Sequence, residues 1–153
     1  MKITISKDFE TIARLNKSIH DIHSKLYPEY FKPYEENEIK ATFEKLIQNE
    51  HFMFFILEEK EQTIGYIWIE IRDFPENAFK MGYQSIYLHQ ISLIEAERKK
   101  GYGTLIMKYI EDLAKKLEID LIELDYWVDN KVAECFYEKN HFVKYREFVH
   151  KRI

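Results

Sequence analysis

A chain of 153 residues, 46% hydrophobic and 33% charged, suits one soluble domain with a sizeable core rather than two. Its formal charge of -4 argues against nucleic acid as the main partner, since phosphate recognition wants a basic face, and accords with a cationic small substrate. The single cysteine, Cys135, excludes an internal disulfide and fits a reducing, cytoplasmic setting; no run reaches the apolar length of a membrane span, and Met1-Lys2-Ile3-Thr4 opens no signal-peptide stretch.

Residues 2–6 alternate in part and predict a first strand. Ile12, Leu15, Ile19, Ile22 and Leu26 then fall at spacings of three and four, the stripe of an amphipathic helix. Pro28 and Pro33 end that helix and shape an aromatic loop from Tyr27 to Tyr34. A second helix is predicted over 36–49, with Ile39, Phe43, Leu46 and Ile47 inward. The residue types then change: Phe52–Leu57 and Thr63–Ile71 are rich in β-formers and flank a hairpin turn at Glu58–Gln62. Residues 73–83, with Asp73, Pro75, Asn77 and Gly82, read as a loop, and Ser85–Ile94 as a strand. The next helix runs from about Gly103 to Leu117, burying Leu105, Ile106, Tyr109, Ile110, Leu113 and Leu117, with Glu111/Lys115 and Asp112/Lys116 spaced for ion pairs on its wet face. Ile119–Val128 predicts a strand, 131–140 a short helix, and Phe142–Ile153 a last strand. The order β-α-α-β-β-β-α-β-α-β predicts a single α/β domain over 1–153, one mixed sheet with helices on both faces.

Two segments carry chemistry. Arg98-Lys99-Lys100-Gly101-Tyr102-Gly103-Thr104 joins a strand to a helix and combines a glycine pair, a basic flank and a helix N-terminus. Glycine lets backbone approach a ligand closely, and the first amides of a helix lack internal partners, so together they receive phosphate oxygens. A P-loop is excluded, because no G-x-x-x-x-G-K-(S/T) is present, and Ile106 stands where a dinucleotide G-x-G-x-x-G needs its third glycine. The second segment runs from Asn130 to Phe142. Asn130 is placed to cap the short helix, and Tyr137 lies two turns on, on nearly the same side. By itself such a tyrosine reads as core.

In this order and spacing the two segments resemble the GNAT superfamily of N-acetyltransferases. Arg98, Gly101 and Gly103 match its (Q/R)-x-x-G-x-(G/A) acyl-CoA motif. Asn130, Ala133, Phe136, Tyr137, Lys139 and Phe142 match its N-x-x-A-x-x-(F/L)-Y-x-K-x-G-F segment. The order of elements is also the family's, whose sheet is mostly antiparallel. Glu95 stands where the family often has proline, and His141 where it has glycine, so His141 or Asn140 must adopt a left-handed or strained backbone.

The resemblance implies acetyl-CoA as cosubstrate, no metal, and acetyl transfer to a primary amine. Amides of Lys99, Lys100, Gly101, Tyr102, Gly103 and Thr104 are expected to hold the pyrophosphate, with Arg98 and Lys99 or Lys100 adding charge and Asn130 counted with the same ligand set. The pantetheine arm is expected to pair with Ile91 and Leu93. A bulge in that strand is expected to free an amide near Leu93 for the oxyanion, in a region where Gln90 and Ser92 are polar for a buried strand. Tyr137 is the expected general acid for the CoA thiolate; His89, Glu70 and Glu95 are base candidates beside a water relay, and none is assigned. His20 and His23, three apart, lack a third ligand and read as an exposed face. Aromatic residues (Tyr27, Tyr30, Phe31, Tyr34, Trp68, Phe74, Phe79, Trp127) and acids (Glu29, Glu35, Glu70, Asp73, Asp125) suit a cationic acceptor: a polyamine, an aminoglycoside, an amino acid or a peptide N-terminus. A non-catalytic acyl-CoA sensor on the same fold is the alternative, with a nucleotide-binding regulator behind it. The last strand offers a route to a homodimer.

Overall fold

The computed structural model describes all 153 residues and places nine principal elements in chain order. These are β1 (Lys2–Ile5), α1 (Phe9–Leu26), α2 (Glu36–Leu46), β2 (Phe52–Glu59), β3 (Gln62–Phe74), β4 (Tyr83–Leu93), α3 (Tyr102–Lys116), β5 (Ile122–Glu123) and α4 (Lys131–Lys139), with a 3-10 turn over Glu95–Glu97. The strands lie in sequence order in one sheet, antiparallel throughout except for the parallel β4–β5 pair. No helix is long and apolar enough to cross a membrane.

Side chains alternate across the pleat, so each long strand feeds two cores. Phe54, Ile56 and Tyr66 meet Ile12, Ala13, Leu15, Phe43 and Ile47 from α1, α2 and the turn after it. Phe55, Leu57, Ile67, Ile69, Ile86 and Leu88 meet Ile106, Met107, Ile110 and Ala114 of α3 on the opposite face. Each such aliphatic side chain contributes about 1.5–3 kcal/mol relative to exposure. The predicted stripe of α3 is therefore rotated: Met107 and Ala114 are buried, whereas Leu105 and Leu117 are 51% and 42% exposed. On its wet face Lys115 meets Asp112 at 3.7 Å, one residue nearer than the expected partner Glu111. The β2–β3 hairpin turns on Lys60 and Glu61, with φ of 48° and 64°, the pair of left-handed residues that matches strand twist.

Two expected strands are corrected. Ile119–Val128 contracts to Ile122–Glu123, and Phe142–Ile153 forms no strand. The β-rich composition of the tail is real, but a two-residue β5 offers too short an edge for a further ladder. Side chains anchor the tail instead: Lys144 Nζ lies 2.6 Å from Glu134, the Tyr145 hydroxyl donates to Glu123, and Arg152 reaches Glu29 at 3.6 Å. Phe148 and Val149 stay exposed. Because β4 and β5 pair only at Ile86–Ile122 and Tyr87–Glu123, the rest of the β4 edge is open.

Candidate active site

Three of the four helices begin under a side-chain cap. Asp8 accepts from the Thr11 amide at 3.0 Å, Glu35 from Glu38 at 2.8 Å, and Asn130 from Ala133 at 3.1 Å. The fourth, α3, has none: its cap is Gly101, left-handed at φ 88°. The amides of Lys99, Lys100, Gly101, Tyr102 and Gly103 make no hydrogen bond within the protein, and the first helical one to do so is Thr104, to the Gly101 carbonyl at 3.2 Å. Lys99 is also left-handed, at φ 62°, so two left-handed residues bend the chain within this run of unbonded N–H groups. A methyl group at 103 would lie 2.6 Å from Phe136 Cε2, so glycine there lets the head of α3 rest on α4.

Arg98 points the other way. Its Nε donates to the Leu93 carbonyl at 3.1 Å, and its Nη2 donates to the Ser18 carbonyl at 3.2 Å and to the Ser18 hydroxyl. The guanidinium thus ties the loop to β4 and α1, leaving Lys99 and Lys100 exposed beside the amides, Lys100 paired with Glu97 at 2.9 Å. Ser18 also donates to Leu93 O at 3.1 Å.

Strand β4 slips register between Trp68↔Gln90 and Ile69↔Leu88, so His89 is the extra residue of a β-bulge. The expected bulge therefore sits four residues before Leu93. Ile94 donates to Ile64 on the β3 side at 2.9 Å. By strand alternation the Leu93 and Ile91 amides face away from β3, into the open edge. Gln90 and Ser92 are turned to the other face: Gln90 Oε1 accepts from Asn16 at 3.1 Å and from the Tyr66 hydroxyl, and Ser92 donates to the Leu15 carbonyl at 2.9 Å. They clamp α1 to the sheet. Asn16 and Ser18 were missed by sequence reasoning; a polar residue on the apolar side of α1, with Asn16 4% exposed, is the signal that points to them.

Tyr137 stacks on Tyr126 at 5.9 Å and meets Phe136 and Phe142 edge-on at 5.2 and 5.5 Å. Burial, with the Asp125 charge adding, pushes its hydroxyl up to about 12, which keeps the phenol protonated. Asn130 spends its carboxamide oxygen on the cap of α4. After α4 the chain turns on His141 at φ 64°, the left-handed residue expected where glycine is replaced.

At the far end of β4 the side chains change character. His89 Nε2 lies 2.8 Å from Glu70, which also takes a 2.8 Å bond from Arg72 Nε. Arg72 lies over the Tyr87 ring at 3.4 Å, and the Tyr87 hydroxyl donates to Asp125 at 2.6 Å. Burial raises the Glu70 carboxyl, but the bonds from Arg72 and His89 outweigh it, so its net shift is downward. Burial holds His89 below the usual imidazole value, against the pull of Glu70. Nearby, Trp127 packs on Tyr27 at 4.3 Å and on Tyr30 and Phe31 at 5.4 Å, and the Tyr27 hydroxyl donates to Asp129 at 2.7 Å. Phe31 covers His23 at 5.0 Å, and His20 meets the Lys32 carbonyl at 2.8 Å, so both histidines are half-buried packing groups rather than an exposed face. Phe79, 96% exposed, stands apart from this wall.

The model of the acetyltransferase (GNAT) family matches residues 16–142. Among curated proteins none matches the sequence. A tetramutant of the BH1408 protein from Bacillus halodurans is 24% identical and superposes with a TM-score of 0.91 over 100% of both chains. A predicted acetyltransferase from Clostridium acetobutylicum, in a structure with acetyl-CoA, is 22% identical, with a TM-score of 0.69 over 99% of this chain and 95% of that one. The aminoglycoside antibiotic 6'-N-acetyltransferase AAC(6')-IG from Acinetobacter haemolyticus is 17% identical, with a TM-score of 0.70 over 100% of this chain and 99% of that one. At these identities the likeness is one of fold.

Proposed function

The chain belongs to the acetyltransferase (GNAT) family and is an acetyl-CoA-dependent N-acetyltransferase, and on that premise we propose that it passes the acetyl group directly to the primary amine of a small cationic molecule or peptide. The observation that carries this reading is the layout of one strand edge: a row of unpaired amides at one end of β4, an acidic and aromatic wall at the other. Phosphate oxygens suit the first and an ammonium group suits the second.

In this reading the amides of Lys99 to Gly103 grip the pyrophosphate, with Lys99 and Lys100 adding charge. Arg98 acts as the brace that holds the loop in shape. Pantetheine pairs with the Leu93 amide along the open edge, as an added strand does. Because pantetheine lies between the pyrophosphate and the thioester, the carbonyl end falls beyond Leu93 on β4, and the Ile91 amide, two residues from the expected position, is the donor for the tetrahedral oxyanion. Tyr137 donates the proton to the departing thiolate. A phenol near 12 is a weak acid against a thiol of about 8.5 in water, but exclusion of water raises the thiolate as well and narrows that gap. Asn130 supports the site by fixing the start of the helix that carries Tyr137.

The aminoglycoside-modifying neighbour and the carboxylates of the wall support a cationic acceptor. The test is free-thiol release from acetyl-CoA over a panel of polyamines, aminoglycosides, amino acids and peptides, alongside acetyl-CoA binding. Turnover confined to cationic primary amines is the expected result. Tight acetyl-CoA binding with no turnover on any amine replaces the enzyme reading by that of an acyl-CoA sensor.

A further inference from the structure

Resting on that reading of a cationic acceptor, we infer that the basic C-terminal tail is a built-in competitor of the acceptor. The Arg152 guanidinium sits on Tyr30 and Glu29, in a place that takes a cationic group of the acceptor once the tail is displaced. Arg152 Nη2 donates to the Tyr30 hydroxyl at 3.2 Å and lies 3.6 Å from Glu29 Oε1, and its Cζ stands 5.8 Å from the Tyr30 ring centroid. A carboxylate, a hydroxyl and an aromatic face together form a set that recognises an ammonium or a guanidinium. Tyr30 packs on Trp127 at 5.4 Å, and Trp127 on Tyr27 at 4.3 Å, so this contact is continuous with the aromatic wall. The chain's own cation marks a cation site.

The tail is held only at its two ends. Every residue from Val143 to Ile153 is exposed, and none makes a backbone hydrogen bond to the rest of the chain. Lys144 and Tyr145 fix its start, on Glu134 and Glu123. From Arg146 to Lys151 there is no hydrogen bond or ion pair, so Arg152 alone holds the far end. Both anchors adjoin the wall: Glu123 pairs with Tyr87, whose hydroxyl donates to Asp125, and Tyr30 packs on Trp127.

Charge brings the tail to this spot, and exposure lets it leave. Within it Lys144, Arg146, Lys151 and Arg152 outnumber one acid, Glu147, although the whole chain carries -4, so the body beneath is strongly acidic. The Arg152 and Glu29 side chains are 68% and 47% exposed, and an ion pair so placed is screened by water and salt and holds weakly. Tethering offsets that weakness, because a linked group acts at an effective concentration of about millimolar. The acceptor's apparent affinity then falls with the fraction of molecules whose site is open. A saturating acceptor displaces the tail, so the effect lies in KM and leaves kcat alone.

The experiment measures free-thiol release from acetyl-CoA with whichever of spermidine, kanamycin and lysine amide turns over fastest. The proteins are the wild type, Arg152→Gln, Glu29→Gln and the double variant, with acetyl-CoA affinity measured in parallel. Both positions are exposed, so neither change touches a core. Arg152→Gln is expected to lower the acceptor KM about threefold at unchanged kcat and acetyl-CoA affinity. Glu29→Gln is expected to raise KM, by less in the wild type, where it also loosens the tail, than in the Arg152→Gln background. A tail contact that serves stability alone gives no such opposed movement. An Arg152→Gln enzyme whose KM is unchanged or higher overturns the competitor. Glu29→Gln that leaves KM unchanged in the Arg152→Gln background overturns the shared site. A wild type that binds acetyl-CoA yet turns over none of the three amines overturns the cationic-acceptor reading itself, and the inference with it.

Discussion

The two ends of the β4 edge are built from different material. The end proposed for the acetyl donor is backbone: amides of Lys99 to Gly103, the Leu93 amide and a left-handed Gly101, contributed by one continuous stretch of chain. The end proposed for the acceptor is side chain: Tyr27 and Phe31 from the loop after α1, Glu70 and Arg72 from β3, Tyr87 and His89 from β4, Asp125, Trp127 and Asp129 from the segment after β5. A backbone site tolerates wide sequence change as long as the loop keeps its shape, so it suits a constant ligand. A side-chain site changes with each substitution, so it suits a variable one. On the proposed function, the contrast puts acceptor specificity in the side-chain end.

That contrast is open to attack. The sharpest attack is Tyr137→Phe, which removes only the hydroxyl of the proposed acid. It should lower kcat by about 100-fold and leave acetyl-CoA affinity within about twofold, measured by steady-state kinetics and titration calorimetry. Unchanged turnover eliminates Tyr137 as the acid. Next comes Arg98→Ala. If the donor end is backbone held in shape by a brace, this variant should bind acetyl-CoA about tenfold less tightly, a loss of about 1.4 kcal/mol. Ser18→Ala should then weaken binding in the same direction by less, because it removes part of the same brace. A Ser18→Ala protein with full affinity beside a crippled Arg98→Ala protein means that the guanidinium reaches phosphate directly. The smallest effect is expected from Tyr27→Phe. Losing both bonds with Asp129, one donated to its carboxylate and one accepted from its amide, should lower stability in denaturant unfolding by about 1–2 kcal/mol and raise the acceptor KM, with acetyl-CoA affinity untouched. An equal loss of acetyl-CoA affinity would show the two ends to be one coupled site.

Legibility in the sequence follows the same division. The donor end was readable because its physics is local: glycines at 101 and 103, a basic flank and a helix start lie within a few residues, and their amides are free for reasons that involve no distant partner. The cores were readable too, since period two and period 3.6 report burial directly. What failed to read were features that depend on a neighbour. Arg98 looks like a phosphate ligand until Ser18, eighty residues earlier in the chain, is seen to hold it. Gln90 and Ser92 look exceptional in a buried strand until Asn16, Tyr66 and the Leu15 carbonyl supply their partners. The tail has the composition of a strand but meets no edge long enough to pair with.

The amino-acid sequence by itself determined the order of the elements through α4, the two-faced sheet, the family and the backbone cradle, because each rests on short-range spacing and on the conformational freedom of single residues. Tertiary structure alone decided which polar groups became structural and which stayed free. It paired His89 with Glu70 across nineteen positions, turned Arg98 inward, and parted β4 from β5 beyond Tyr87. The reason is that a hydrogen bond or an ion pair is worth making only against desolvation, and desolvation is set by whatever else the fold brings to the same spot.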